Sequence, residues 1–261
     1  PNPRNEAYFH EYDKNSGYVD KTIVTKKYKP LTFILSYYNQ INVLKKHVIM
    51  WKKYPKQLRD LITFIIVDDC SKLDADSILK TLDTRELDIQ LYRVDEDLYC
   101  NIAGVRNLGF MRAQTEWCLL LDMDTMVDTK MAFQLLINLI SKNEKRLAYQ
   151  FNRRVPGKPR HPKNESPHPA VCLIRKEDYW HIGGCEEDLV GHYGCTDGSF
   201  WLKAKGKVDK TIVKYIYIQY EPEGECDLNR DISHNVKIEK EKKENNSWST
   251  DYVRFPWHKV V

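Results

Sequence analysis

The chain has 261 residues, of which 42% are hydrophobic, 11% aromatic and 30% charged, enough for one large domain or two small ones built on a substantial apolar core. Its seven cysteines are scattered, with no Cys-x-x-Cys pair, which excludes a disulfide-stapled miniature and argues against a structural zinc module; the thiols read as reduced and packed, as in a cytoplasmic-type compartment. Lys and Arg number 41 against 37 Asp and Glu, a net charge of +4, too slight to make nucleic acid the expected partner, and no apolar run approaches the roughly 20 residues that span a bilayer.

Residues 1–29 mix charge and tyrosine without a period and predict a loosely packed arm. Their polar start lacks the apolar core of a secretory signal, so the reading is a cytoplasmic protein, or a lumenal one if an anchor has been removed. Leu31-Thr-Phe-Ile-Leu-Ser36 is an apolar strand ending in Tyr37-Tyr38-Asn39, after which Ile41, Leu44, His47, Val48 and Trp51 recur at helical spacing. Leu61 to Val67 is a second buried strand, closed by Asp68-Asp69-Cys70-Ser71 and followed by a helical stretch around Ile78 to Leu82. Ile89 to Val94 predicts a third strand, and Ile102 to Ala113 a helix with Asn101 as its cap. Trp117 to Leu121 is a fourth strand ending at Asp122-Met123-Asp124, and Met131 to Ile140 the next helix. From Arg153 to Pro169 the chain is proline-rich and basic, the composition of a binding loop or lid. Ala170 to Ile174 reads as a strand, Asp197 to Ala204 as a short helix, Thr211 to Tyr220 as a strand, and the charged stretch from Ile238 as a solvated helix or arm.

Alternating strands and helices with nearly continuous apolar strands predict an α/β fold: a mostly parallel central sheet flanked by helices. Ligands of such sheets sit at the carboxyl ends of the strands, where this sequence places Tyr37-Tyr38-Asn39, Asp68/Asp69 and Asp122/Asp124. Of three Asp-x-Asp pairs, at 74/76, 95/97 and 122/124, only the last directly follows a purely apolar strand. Two carboxylates there are costly to bury unpaired and suit a hard divalent ion, Mg²⁺ or Mn²⁺; a helix N-cap plus a surface acid is the plainer alternative.

Ser36-Tyr37-Tyr38-Asn39, Val67-Asp68-Asp69-Cys70-Ser71, Ala103-Gly-Val-Arg106-Asn107-Leu-Gly109 and Leu121-Asp122-Met123-Asp124 occur in the order and spacing of GT-A glycosyltransferases of the family 2 type, which the chain resembles from about Leu31 to Asn235. Cys70 stands where the family usually has Gly. The resemblance implies a GT-A, Rossmann-like domain over 30–237, with a nucleotide-sugar half at 30–126, a smaller acceptor half at 127–237, and a charged tail at 238–261. It also implies roles. Asp68 and Asp69, with Tyr38, would hold the nucleotide base, Arg106 would support the nucleotide end, Asp122 would lie near ribose and metal, and Asp124 would ligate a Mn²⁺ or Mg²⁺ ion bridging the diphosphate.

The segment from Gly183 to Gly198 resembles the acceptor segment of inverting enzymes. It makes Asp197 the general base, with Glu187 and Asp188 as alternatives, although Thr196 replaces the usual Glu. His234 would be a third metal ligand, and Trp180 and Trp201 would stack on sugar or pack in the core. The implied activity is metal-dependent, inverting transfer of a sugar from a nucleotide-diphospho-sugar, a UDP-sugar first, to a hydroxyl of a glycan or glycoconjugate. A retaining transferase, a sugar nucleotidyltransferase and a non-catalytic glycan- or nucleotide-binding module are the competing readings; the nucleotidyltransferase is disfavoured because no Gly-rich basic loop follows the first strand.

Overall fold

Strands β1 (Leu31–Tyr37), β2 (Ile62–Asp68) and β4 (Trp117–Leu121) are almost uniformly apolar because helices cover both of their faces. The computed structural model describes residues 30–155, 157, 166–220 and 229–261; the expected arm and most of the proline-rich loop lie outside them. β1 pairs in parallel with β2 and with β4, and β2 with β3 (Ile89–Val94). The registers Leu35↔Leu121 and Tyr37↔Asp68 make the three predicted ligand-facing turns end on one rim.

Beyond β4 the sheet is mixed. β7 (Pro167–Arg175) is antiparallel to β4 and to β6 (Leu147–Arg154), β8 (Asp209–Tyr220) runs parallel to β6, and β5 (Thr125–Met126) closes that side antiparallel to β8. Among the described residues the order is β5-β8-β6-β7-β4-β1-β2-β3 and last β9 (Trp257–Lys259). The segment expected as a charged tail begins within helix α8 (Ser233–Asn245) and ends as β9, which pairs antiparallel with Tyr92–Val94.

Alternate strand residues feed two apolar layers. Phe33, Leu35, Phe64, Ile66, Leu119 and Leu121 pack under α1 (Ile41–Lys52), the short α2 (Lys56–Arg59), α3 (Ala75–Lys80) and α5 (Thr129–Asn138), with Trp51 stacked on Phe64 at 4.4 Å. Ile34, Ile65, Cys118 and Leu120 face α4 (Ile102–Arg112), α6 (Lys176–Ile182) and α7 (Thr196–Ala204), where Phe110 and Tyr179 stack at 3.5 Å. Each such side chain, fully buried, contributes about 1.5–3 kcal/mol. Gly109 lets α4 lie close on β1, since a Cβ there would sit 2.3 Å from Ile34 Cγ2. No disulfide joins any two of the six described cysteines.

Candidate active site

The rim of the parallel strands opens onto a cavity of about 200 Å³ whose lining includes Tyr38, Asp69, Asp122, Asp124, Tyr193 and Arg230. Its base is set by two linked turns. Asn39 and Cys70 both adopt left-handed backbone, with φ of 51° and 52°; Asn39 N–H donates to Ser71 Oγ, and Lys72 N–H to Asn39 Oδ1. This conformation is the one the usual glycine at position 70 supplies without strain.

The two neighbouring acids differ in use. Asp68 accepts from the Ser71 and Ala75 N–H groups and from Arg93 at 2.6 Å, so its carboxylate holds the turn and α3. Asp69 turns to the cavity; one oxygen accepts from Asn101 N–H, and the other, Oδ1, is buried without a hydrogen-bond partner. Burial pushes the Asp69 carboxyl up to about 7, with Asp97 and Asp68 adding to the rise and the Asn101 N–H opposing it. Asn101 begins α4, but it offers no side-chain cap; its backbone serves Asp69 instead. Tyr38 lines the cavity and Tyr37 is anchored by its hydroxyl to Leu73 O.

At the end of β4 the turn carrying Asp122 and Asp124 is fixed by Thr125, whose hydroxyl donates to Asp122 O, and by His47, whose Nε2 lies 2.9 Å from Met123 O. Asp122, Asp124 and His168 bring one ligand atom each within 4.8 Å of one another, and Asp124 Oδ1 is buried without a hydrogen bond, 3.5 Å from His168 Nε2. An orphaned buried carboxylate oxygen beside a second carboxylate is the donor set that a hard divalent cation fits. His168 Nδ1 accepts from Ala170 N–H, which turns Nε2 toward Asp124 Oδ1.

His234 is not part of this group. Its ring stacks on His192 at 3.7 Å, because α8 is pinned by Asn235, whose side-chain amide donates to Leu189, His192 and Gly194 carbonyls. Sequence reasoning did not single out His168, since it stands between two prolines near the end of the Arg153–Pro169 loop and in no motif. Tyr193 and Arg230 were missed as well; Arg230 projects into the cavity 6.0 Å from the Tyr193 ring.

Arg106, expected to support the nucleotide end, joins two carboxylates at the rim. It is buried within α4, donating from Nη1 to Asp197 Oδ1 at 2.6 Å and from Nη2 to Asp122 Oδ1 at 2.8 Å. Asp197, in the first turn of α7, is thereby tied to Asp122 of the cavity lining, and only one of its oxygens is held by Arg106. Glu187 and Asp188 are otherwise engaged: Glu187 accepts from Asn107, Val253 N–H and Arg254 N–H, and Asp188 pairs with Lys242 and Arg254. Trp180 packs against Tyr179 and Tyr252, while Trp201 donates its indole N–H to Pro169 O. Among the described residues no helix is long and apolar enough to cross a membrane.

The family model described as "Glycosyl transferase family 2" matches residues 32–203. No curated protein matches the chain in sequence. Solved structures share its fold at low identity. S. aureus TarS in complex with UDP-GlcNAc is 15% identical, with a TM-score of 0.59 over 75% of this chain and 60% of that one. The mannosyltransferase PcManGT of Pyrobaculum calidifontis, in complex with GDP-Man and Mn²⁺, is 15% identical, with a TM-score of 0.57 over 84% and 63%. GalNAc-T7, with UDP, GalNAc and Mn²⁺, is 12% identical, with a TM-score of 0.59 over 87% and 56%. The chain thus spans about three fifths of the length of these proteins.

Proposed function

The chain belongs to glycosyl transferase family 2, and from that premise we propose that it transfers a sugar, with inversion and with the help of a divalent metal, from a nucleotide-diphospho-sugar to a hydroxyl of a glycan or glycoconjugate. The observation that carries this reading is the convergence of Asp69, Asp122 and Asp124 on one cavity, with Asp197 tied to the same rim through Arg106. A UDP-sugar is the first candidate donor: the free oxygen of Asp69 can accept the ring N–H of uracil, with Tyr38 beside it.

Asp122 and Asp124 would hold Mn²⁺ or Mg²⁺, with His168 orienting Asp124; a bound dication stabilises the negative charge that develops on the departing diphosphate. Arg230, a fixed cation at the cavity wall, adds to that stabilisation. Asp197 takes the proton of the acceptor hydroxyl on the oxygen not held by Arg106. The hydroxyl oxygen bonds to the anomeric carbon, the bond from that carbon to the diphosphate oxygen breaks, and its electron pair leaves with the nucleoside diphosphate, inverting the centre.

The deciding experiment measures transfer and donor hydrolysis with UDP-sugars and Mn²⁺. EDTA and Asp124→Asn are each expected to lower turnover by at least about 100-fold, and Asp197→Asn by a similar factor with donor affinity at saturating Mn²⁺ nearly unchanged. Full activity after chelation or in Asp124→Asn would remove the metal from the mechanism. Donor binding lost in Asp197→Asn would move that residue from the acceptor to the donor side.

A further inference from the structure

Arg106 does more than pack α4 against the sheet. Its side chain is 3% exposed, and its two terminal nitrogens make the 2.8 Å and 2.6 Å bonds to Asp122 and Asp197, which reach it from the end of β4 and the start of α7. Both carboxylates are about one third exposed, so solvent and ligands reach them while the cation between them is sealed from water. A guanidinium does not lose its proton, and one positive charge shared by two carboxylates leaves a local excess of one negative charge. The sum is fixed, so whatever changes the demand of one carboxylate on Arg106 changes what remains for the other.

We propose that Arg106 is a shared counter-ion coupling the metal carboxylate Asp122 to the base Asp197, so that uptake of a divalent cation at Asp122 and Asp124 is transmitted to Asp197 and the reverse. This rests on the assignment of metal and base given above. A dication at Asp122 would compete with the guanidinium for the same carboxylate and release it toward Asp197, which holds the base carboxylate in place once the donor side is filled. Conversely, neutralising Asp197 leaves the whole guanidinium to Asp122 and weakens its hold on a cation, although Asp197 is not among the residues grouped around the candidate metal position. Arg106 is in this sense a positioning residue.

The test is a double-mutant cycle read by Mn²⁺ binding to the full chain, following the free ion by electron paramagnetic resonance, without nucleotide or acceptor. Arg106→Met is expected to tighten Mn²⁺ binding, where loss of a merely structural arginine would weaken or spare it. Asp197→Asn is expected to weaken Mn²⁺ binding by about fivefold in the wild-type background, within the usual range of site coupling, and by less than about twofold in the Arg106→Met background. If Arg106→Met does not fold, Arg106→Lys serves: one ammonium reaches only one carboxylate at a time, and the Asp197→Asn effect again falls below about twofold. An Asp197→Asn effect equal in both backgrounds, or absent from the wild type, overturns the coupling and leaves the metal site standing. A wild type that binds no Mn²⁺ overturns the metal assignment itself, and the coupling with it.

Discussion

Asp68 and Asp69 are consecutive, and the peptide between them sends one carboxylate into the protein's own turn and the other into the cavity. The sequence shows two acids at a strand end and no way to rank them, because strand alternation becomes irregular where Cys70 takes left-handed backbone. The elevated Asp69 carboxyl, at about 7, makes the ranking measurable. The folded state binds this proton more tightly than the unfolded chain, whose Asp titrates near 4. The stability Asp69 contributes is therefore complete below about pH 4 and is lost as pH rises to about 7, a loss on the order of 4 kcal/mol. Denaturant unfolding of wild type and Asp69→Asn across pH 4–8 should show that slope in the difference between them. A nucleobase N–H pairs with the ionised form, so UDP binding at pH 6 should release a proton, seen as a binding enthalpy that varies with the buffer's ionisation enthalpy in the wild type and not in Asp69→Asn. No buffer dependence in the wild type would mean that Asp69 does not meet the base as a carboxylate. Asp122, Asp124, Arg106 and Asp197 were legible as chemistry, since each stands in a motif; that Arg106 bridges Asp122 and Asp197 was not, because 91 residues separate it from Asp197.

The parallel strands were readable from the sequence because a strand covered on both faces is apolar throughout, as β1, β2 and β4 are. β6, in which Gln150, Asn152 and two arginines interrupt the apolar residues, and the seven-residue α6 carry no such period. β9 is equally silent, with three residues held mainly by what precedes them. The acids at 186–188 look like acceptor chemistry, yet they dock the segment after α8: Glu186 accepts from Ser249 N–H, and Glu187 from Val253 N–H, Arg254 N–H and Asn107. Glu187→Ala would leave those three donors without their acceptor and should cost about 3–5 kcal/mol, with faster amide exchange across 253–260 as β9 detaches. Asp188→Asn, at a one-third-exposed carboxylate shared by Arg254 and the largely buried Lys242, should cost about 1–2 kcal/mol and leave turnover intact. A large kcat loss in Asp188→Asn without destabilisation would return that residue to the list of candidate bases.

At the scale of the molecule, the α/β architecture and the family resemblance were both legible. The antiparallel side of the sheet was not, since strand direction is set by connections that leave no mark on composition. That half matters, because it supplies His168 from β7 and the backing of Asp197 in α7 to a rim otherwise built from β1, β2 and β4. A donor and a metal seated there join elements far apart in the chain and bind only the folded state, so they must stabilise the whole fold. Ligand at about 100 times its Kd adds about 2.7 kcal/mol, which for a protein of this size is a Tm rise of about 5–10 °C. Scanning calorimetry with UDP should show the larger part of that rise only when Mn²⁺ is present. In Asp124→Asn the Mn²⁺-dependent part should vanish while the shift from UDP alone survives, because Asp69 and Tyr38 are untouched. Equal shifts with and without Mn²⁺ in the wild type would show the nucleotide bound without the metal and would dissolve the link between the two halves of the rim.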